Sequence, residues 1–138
     1  MKRGPFLVDT GFLVALVNHA DPAHAACTAA WKTVQGPFLS SEGVLVEACW
    51  MLRRSFDAIT QLNGVVRGAG VIFAAPARWR YDRALELMET YRDVPMDLVD
   101  ALLVALASEA GIRDVLTLNR RGFAAYRDAK GRAFRALP

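Results

Sequence analysis

Short apolar runs along this chain alternate with longer segments in which apolar residues recur at helical spacing. The short runs predict buried strands. Four such strands are predicted, at residues 6–8, 38–39, 71–73 and 115–118, and residues 133–136 are a candidate for a fifth. The strands therefore stand well apart, with room for a helix between most neighbours.

The longer segments predict helices, whose limits follow from apolar spacing and from capping residues. Asp21 and Pro22 have the residue types of an N-cap and a first helical position, and Gly111 is expected to end the last long helix. The predicted helices span residues 10–18, 22–34, 57–68, 77–92 and 98–110, and one more, capped by Ser40 or Ser41, runs through residue 54.

Short apolar strands that alternate with helices predict a mainly parallel sheet with both faces covered. We therefore expect a three-layer α/β/α fold with four or five strands. The length of 138 residues suits a single domain over residues 1–138, without repeats or a linker.

Four acidic or amide residues interrupt or end the apolar segments. Asp9 ends the first strand, Glu47 lies in the helix after the second, Asp100 lies in the first turn of the last long helix, and Asn119 ends the fourth strand. Ligand sites in parallel sheets form at the carboxyl ends of the strands. The predicted topology places all four residues at that edge.

Each of these residues also has a purely structural explanation. Asp9 could cap the helix that follows it, and Asp97 and Asp100 have the spacing of a capping box. Of this pair, Asp97 is the better cap and Asp100 the better ligand. Asn119 could be an ordinary turn residue, whereas Glu47 has no charge partner one helical turn away.

A carboxylate among apolar residues needs a partner, a proton or a metal ion. No lysine or arginine lies close in sequence to Asp9 or Asp100, so a divalent cation is the simplest answer. Oxygen ligands suit Mg²⁺, and a bound ion would activate water for attack on a phosphodiester. We expect Asp9, Asp100 and Glu47 to hold the ion, with Glu47 alternatively activating the water and Asn119 orienting it. Thr10 and Ser41 are expected to hydrogen-bond to these ligands.

The net positive charge of the chain favours a polyanionic partner but does not establish one. The net charge is +3, and the last 19 residues hold six basic residues against one acid. Arg120 and Arg121 follow Asn119 directly and are candidates for gripping a nucleic-acid backbone. A second basic group contains Arg78, Arg80 and Arg83, for which a solvated face is an equally good explanation. The two cysteines have neither zinc nor disulfide spacing and, as small core residues, indicate a reducing cytoplasm, while no apolar run reaches membrane-spanning length.

The ordered set of motifs resembles PIN-domain ribonucleases. Residues 7–16, 21–24 and 45–48 resemble the opening of that family, and residues 96–107 and 115–123 resemble its closing half. The compact size resembles the VapC-type toxins of toxin–antitoxin pairs. The resemblance implies a PIN fold, an Mg²⁺- or Mn²⁺-dependent endoribonuclease, a homodimer, and inhibition by a VapB-type antitoxin. It places Asp9, Glu47 and Asp100 at the three core acidic positions.

Asn119 departs from the family, which commonly has Asp at the fourth position. The change removes one negative charge, so a second ion should bind more weakly. A second hypothesis therefore remains open: a catalytically weak PIN domain that binds RNA or a protein. Asp9-Thr10-Gly11 also matches the aspartic-protease signature, but the helix-rich pattern is incompatible with that all-β fold.

Overall fold

A five-stranded parallel sheet forms the centre of the molecule in the computed structural model, which describes residues 1–138. Its order is β5-β4-β2-β6-β7, and a separate parallel pair joins β1 to β3. The strands are β1 (Lys2–Arg3), β2 (Phe6–Val8), β3 (Val34–Gln35), β4 (Phe38–Ser41), β5 (Ile72–Ala74), β6 (Asp114–Leu116) and β7 (Arg135–Leu137). The sheet confirms the predicted parallel α/β architecture.

Seven helices connect and cover these strands. They are α1 (Thr10–Val17), α2 (His24–Trp31), α3 (Glu42–Met51), α4 (Phe56–Gly68), α5 (Arg78–Thr90), α6 (Leu98–Ala110) and α7 (Arg120–Ala125). Helix α1 packs against α2, α3 and α4, while α5 packs against α6. No helix is both long and apolar enough to cross a membrane.

The central strand β2 is completely buried, as expected for the middle of a covered parallel sheet. Its register pairs Phe6 with Phe38 on one side and Val8 with Leu116 on the other. All β2 side chains belong to one core cluster of 31 buried apolar residues. Strand β2 therefore places whatever follows Val8 between the carboxyl ends of β4 and β6.

The predicted cap of α2 is wrong. Helix α2 begins at His24 with Ala23 as its N-cap, because the Asp21 carboxylate accepts the Ala23 N–H at 2.9 Å and closes a turn before the helix. The same helix was predicted to continue towards residue 34. It ends at Trp31, and Val34 instead pairs with Lys2 in the small parallel sheet.

Other helix signals are confirmed by their contacts. Ser41 caps α3, since its hydroxyl accepts the Val44 N–H at 3.3 Å. Gly111 ends α6 in the left-handed region with φ of 67°, a conformation that favours glycine. Helix α3 stops at Met51, three residues before its predicted end. Helix α7 and the two-stranded sheet were not predicted.

Arg80 does not belong to a solvated basic face. It is buried, and its Nε and Nη2 bind the two carboxylate oxygens of Glu109 at 2.6 and 3.0 Å. Its Nη1 also donates to the Ala75 carbonyl at 2.8 Å. This bidentate pair ties α5 to α6 and removes Arg80 from the charges available to a ligand.

Candidate active site

Asp9 follows β2 directly and is buried, with 6% of its surface exposed. Both carboxylate oxygens are fixed. Oδ1 accepts the Thr10 N–H at 2.8 Å, which makes Asp9 the N-cap of α1, and Oδ2 accepts the Thr117 hydroxyl at 2.7 Å. The capping role and a ligand role are compatible, because each oxygen retains a further lone pair.

Thr117 was missed by sequence reasoning. It directly follows β6, is fully buried, and its hydroxyl joins Asp9 to the next turn by accepting the Asn119 N–H at 3.0 Å. The available signal was a hydroxyl residue inside the apolar run of residues 115–118. A buried hydroxyl needs a polar partner, and here the partner is the site carboxylate.

Asp97 and Asp100 form a complete capping box at the start of α6. Asp97 Oδ1 accepts the Asp100 N–H at 2.8 Å, and Asp100 Oδ2 accepts the Asp97 N–H at 3.4 Å. Asp97 is therefore the N-cap, as predicted. The reciprocal bond to Asp100 is long, so most of that carboxylate's acceptor capacity remains available.

Asn119 connects the Asp9 side of the site to Asp100. It is the N-cap of α7, where its Oδ1 accepts the Gly122 N–H at 3.1 Å. Its Nδ2 donates to Asp100 Oδ2 at 3.5 Å, a long hydrogen bond. The amide oxygen was expected to orient a water molecule. In the structure that oxygen faces the helix backbone, and the N–H side faces Asp100.

Glu47 is half-buried on α3 and makes no hydrogen bond with Asp9, Asp100 or Asn119. Its charge nevertheless reaches Asp9, whose pKa it raises. One turn earlier, Gly43 allows α3 to approach α6, since a Cβ at Gly43 would lie 3.4 Å from the Leu102 side chain. The structure thus brings Glu47 into electrostatic range of the site without a direct bond.

Asp9, which is buried, and Asp100, which is half-buried, hold their protons more tightly than usual. Burial raises the pKa of Asp9, the hydrogen bonds from Thr117 and Thr10 oppose that rise, and the charges of Glu47 and Asp97 add to it. Burial, and then the charges of Asp97 and Asp9, raises the pKa of Asp100 to about 7. No arginine or lysine forms an ion pair with any of these acids. The acidic site, defined as Asp9, Glu47 and Asp100, is therefore an uncompensated negative centre.

The PIN domain family model matches residues 6–129 of the chain. The chain belongs to the PIN domain family. It is 28% identical over 134 residues to Ribonuclease VapC26 of Mycobacterium tuberculosis, which covers 96% of this chain and 99% of that relative. This PIN domain therefore matches a curated ribonuclease over almost the full length of both chains.

Solved structures share the fold of this PIN domain. M. tuberculosis VapC20, described as a sarcin-ricin loop cleaving toxin, superposes with a TM-score of 0.73 at 23% identity and covers 80% of this chain and 86% of its own. VapBC2 from Rickettsia felis, bound to a promoter DNA fragment, superposes with a TM-score of 0.66 at 14% identity. It covers 98% of this chain and 100% of its own. A toxin–antitoxin complex from Klebsiella pneumoniae superposes with a TM-score of 0.64 at 16% identity. It covers 86% of this chain and 90% of its own.

The donors of the acidic site suit a hard divalent cation in chemical type and in charge. Asp9 and Asp100 supply carboxylate oxygens whose mutual repulsion a cation would relieve. The Thr10 hydroxyl beside Asp9 is buried without a hydrogen-bond partner. No three His, Cys, Asp or Glu side chains converge closely enough to enclose an ion. An ion here would thus be held by few protein ligands and would keep several waters.

The remaining predicted residues occupy distinct places around the PIN site. Arg120 and Arg121 are exposed in the first turn of α7, directly after Asn119. Thr10 contacts Asp9 through its backbone N–H and not through its hydroxyl. Ser41 uses its hydroxyl to cap α3 and is not bonded to a site carboxylate. Its neighbour Ser40, the other candidate cap, is buried and donates to the Val8 carbonyl at 2.6 Å.

Proposed function

We propose that this PIN domain is a divalent-metal-dependent endoribonuclease that acts as the toxin of a toxin–antitoxin pair. The observation that carries the proposal is the pair of buried Asp9 and half-buried Asp100, connected through Thr117 and Asn119 at the carboxyl edge of the sheet without a basic partner. The similarity to Ribonuclease VapC26 and to solved VapC toxins supports both the reaction and the role.

Asp9 and Asp100 would hold Mg²⁺ or Mn²⁺, with Glu47 as a nearby base and not as the expected third ligand, because no three acids converge there. When bound, the ion would supply an activated water and neutralise charge on the phosphate. In the reaction, a water oxygen bonds to phosphorus while the bond to the leaving sugar oxygen breaks. Glu47 is free of hydrogen bonds to its neighbours in the site, so its carboxylate can take the proton from the attacking water.

Arg120 and Arg121 would bind the RNA backbone beside this centre. Both are exposed and neither forms an ion pair, unlike Arg78, Arg80 and Arg83. Free guanidinium groups next to an acidic metal site would attract the RNA phosphates and hold the RNA strand across the edge of the sheet.

RNA cleavage by the purified chain with EDTA, Mg²⁺ or Mn²⁺ tests the proposal. We expect cleavage only with an added divalent ion, and its loss in Asp9→Asn and Asp100→Asn. Asp82→Asn is the matched control, since Asp82 is an exposed acid paired with Arg78 on α5. Metal-independent cleavage, or full cleavage by both site variants, would contradict the proposal.

A PIN domain that binds RNA or a protein without cleaving is the second candidate function. The absence of three converging ligands and the neutral Asn119 favour it. Expression without an antitoxin separates the two. A toxin stops growth in a way that depends on Asp9, whereas a binding module leaves growth unchanged or acts equally well as Asp9→Asn.

An antitoxin would bind the open apolar cleft between α3, α4 and β5. The cleft measures about 770 Å³ and is lined mainly by apolar side chains, among them Leu45, Ile59 and Phe73. Phe56 stands at this cleft with 78% of its surface exposed. Solved relatives are described as toxin–antitoxin complexes, which supports a VapB-type partner. Large exposed apolar surfaces commonly mark protein interfaces.

Phe56→Glu tests this surface. We expect the variant to keep RNA cleavage and to lose co-purification with the antitoxin, because a charge replaces an apolar anchor. Retained co-purification would place the antitoxin elsewhere. Light scattering on the antitoxin-free chain checks the proposed homodimer, and fractionation of expressing cells checks the proposed cytoplasmic location.

A further inference from the structure

The Asn119 side chain is held at both ends of its amide. Its Oδ1 accepts the Gly122 N–H at 3.1 Å, and its Nδ2 donates to Asp100 Oδ2 at 3.5 Å. The oxygen therefore faces the backbone of α7, and an N–H faces the acidic site.

The orientation of this amide is fixed by its partners. The neighbouring Tyr126 hydroxyl donates to the Pro95 carbonyl at 2.5 Å. The Asn119 oxygen meets the Gly122 N–H, and its N–H₂ meets the Asp100 carboxylate. If the amide turned over, its N–H₂ would face the Gly122 N–H, and its oxygen would face the Asp100 carboxylate. Both contacts would be repulsive. The acidic site therefore meets only the donor side of Asn119.

Tyr126 itself is completely buried, and its ring is packed between other aromatic side chains. Its ring meets Tyr91 and Phe123 edge to face, with centroids 5.2 and 5.3 Å away. Gly122 leaves the necessary space, since a Cβ there would lie 2.4 Å from Asn119 Nδ2 and 2.8 Å from the Tyr126 hydroxyl. Through Pro95, two residues before Asp97, the tyrosine also holds the chain that leads into α6 and Asp100.

The geometry points to Asn119 and Tyr126 as positioning residues that hold Asp100 by neutral donors, so that the site takes one divalent cation and not two. Asn119 turns its N–H side towards Asp100 and its oxygen towards the backbone of α7, and the corner that it occupies adds no negative charge for a second ion. This inference rests on the proposed metal-dependent function and specifies the occupancy of the same site. Asn119 touches the ligand Asp100 and is not itself a ligand.

Mn²⁺ binding, measured by calorimetry and by the electron paramagnetic resonance signal of free Mn²⁺, tests this inference. We expect one ion per wild-type chain and a second ion in Asn119→Asp, whose new oxygen would replace the donor. Tyr126→Phe should weaken Mn²⁺ binding about tenfold, the scale found when a group that orients a metal ligand is lost. Tyr91→Phe is the matched control, because its hydroxyl accepts the Arg127 N–H and does not contact the site.

Two ions on the wild-type chain, or one ion with unchanged affinity in both Asn119→Asp and Tyr126→Phe, would overturn the inference and leave the proposed function intact. Equal weakening in Tyr126→Phe and Tyr91→Phe would also overturn it, because the effect would then be general destabilisation. No binding by the wild-type chain would overturn this inference and the metal-dependent function together. Thermal melts of each variant without metal show whether it is folded.

Discussion

The Thr117 hydroxyl lies 2.7 Å from Asp9 Oδ2 and joins two residues that are 108 positions apart in the chain. The contact follows from the register of the central strands, in which Val8 pairs with Leu116. Asp9 is the first residue after β2 and Thr117 is the first after β6, so the paired strand ends set the distance between the two side chains. Asp9 is thus anchored at the paired ends of the central strand β2 and its neighbour β6, and not on a flexible loop.

Replacing Thr117 by valine keeps the shape of the side chain and removes its hydroxyl. The buried Asp9 oxygen and the Asn119 N–H each lose a partner, so we expect a loss of about 1–3 kcal/mol in unfolding free energy. Urea unfolding measures this loss. Thr117→Ser restores the hydroxyl and should recover most of the stability. Equal stabilities of the valine variant and the wild type would show that the bridge contributes nothing.

The metal-free protein should lose stability as the pH rises from about 4 to above 7. The folded-state pKa of Asp100 is raised to about 7 and that of Asp9 is also raised, so the folded chain binds more protons than the unfolded chain in this window. For Asp100, the stability linked to its proton is complete below the unfolded pKa near 4 and is lost as the pH rises through about 7.

A bound cation should reverse this trend, because deprotonated carboxylates bind it best. Thermal melts at pH 5 and pH 8, with EDTA and with Mg²⁺, measure both effects. We expect little stabilisation by Mg²⁺ at pH 5 and several degrees at pH 8. Asp100→Asn should flatten the dependence. A metal-free chain that becomes more stable across this range would refute the carboxylate assignment.

Loss of Arg80 should destabilise the fold without removing an RNA contact. Arg80→Ala leaves Glu109 without its bidentate partner, and we expect a cost of about 2 kcal/mol or more, below that of a fully buried pair because the Glu109 side chain is 26% exposed. Arg78→Ala is the control, since its exposed pair with Asp82 contributes less than about 1 kcal/mol. Chemical denaturation measures the loss of stability. RNA binding, measured at a temperature where both variants are folded, checks that no RNA contact is lost.

Arg120→Ala and Arg121→Ala should weaken RNA binding in a salt-dependent way. Each lost phosphate contact on a single strand lowers the slope of log affinity against log salt by about 0.7. Arg67→Ala is the control, because Arg67 is exposed near the end of α4, just before β5 begins at the opposite edge of the sheet. Titrations with a catalytically inactive Asp9→Asn chain at several salt concentrations give the slopes. An unchanged slope in both variants would exclude this face as the RNA contact.

Periodicity was enough to predict the large elements of this fold. The limits of β2 and of α6 are those expected from the apolar pattern, because β2 is buried on both sides and α6 has clear signals at both ends. Strands β1 and β3 have only two residues each, which is too short for an apolar pattern to predict them from sequence. Helix α7 was missed because it has only six residues.

The acidic site was predictable in position but not in detail. Its residues stand out because each breaks an apolar segment, and parallel-sheet topology gathers them at one edge. Hydrogen-bond direction, however, depends on tertiary neighbours. Nothing near Asn119 in sequence indicated that its amide would donate to Asp100, and nothing near Arg80 indicated Glu109.

The pairing of β2 with β6 also bears on the time at which the site forms during protein synthesis. Strand β2 is synthesised before its neighbour β6, and Thr117 is added 108 residues after Asp9. Contacts between such distant segments form late in folding. A nascent chain that has not yet reached β6 therefore lacks the strand and the hydroxyl that fix Asp9. The order of synthesis thus separates the making of Asp9 from the completion of its site.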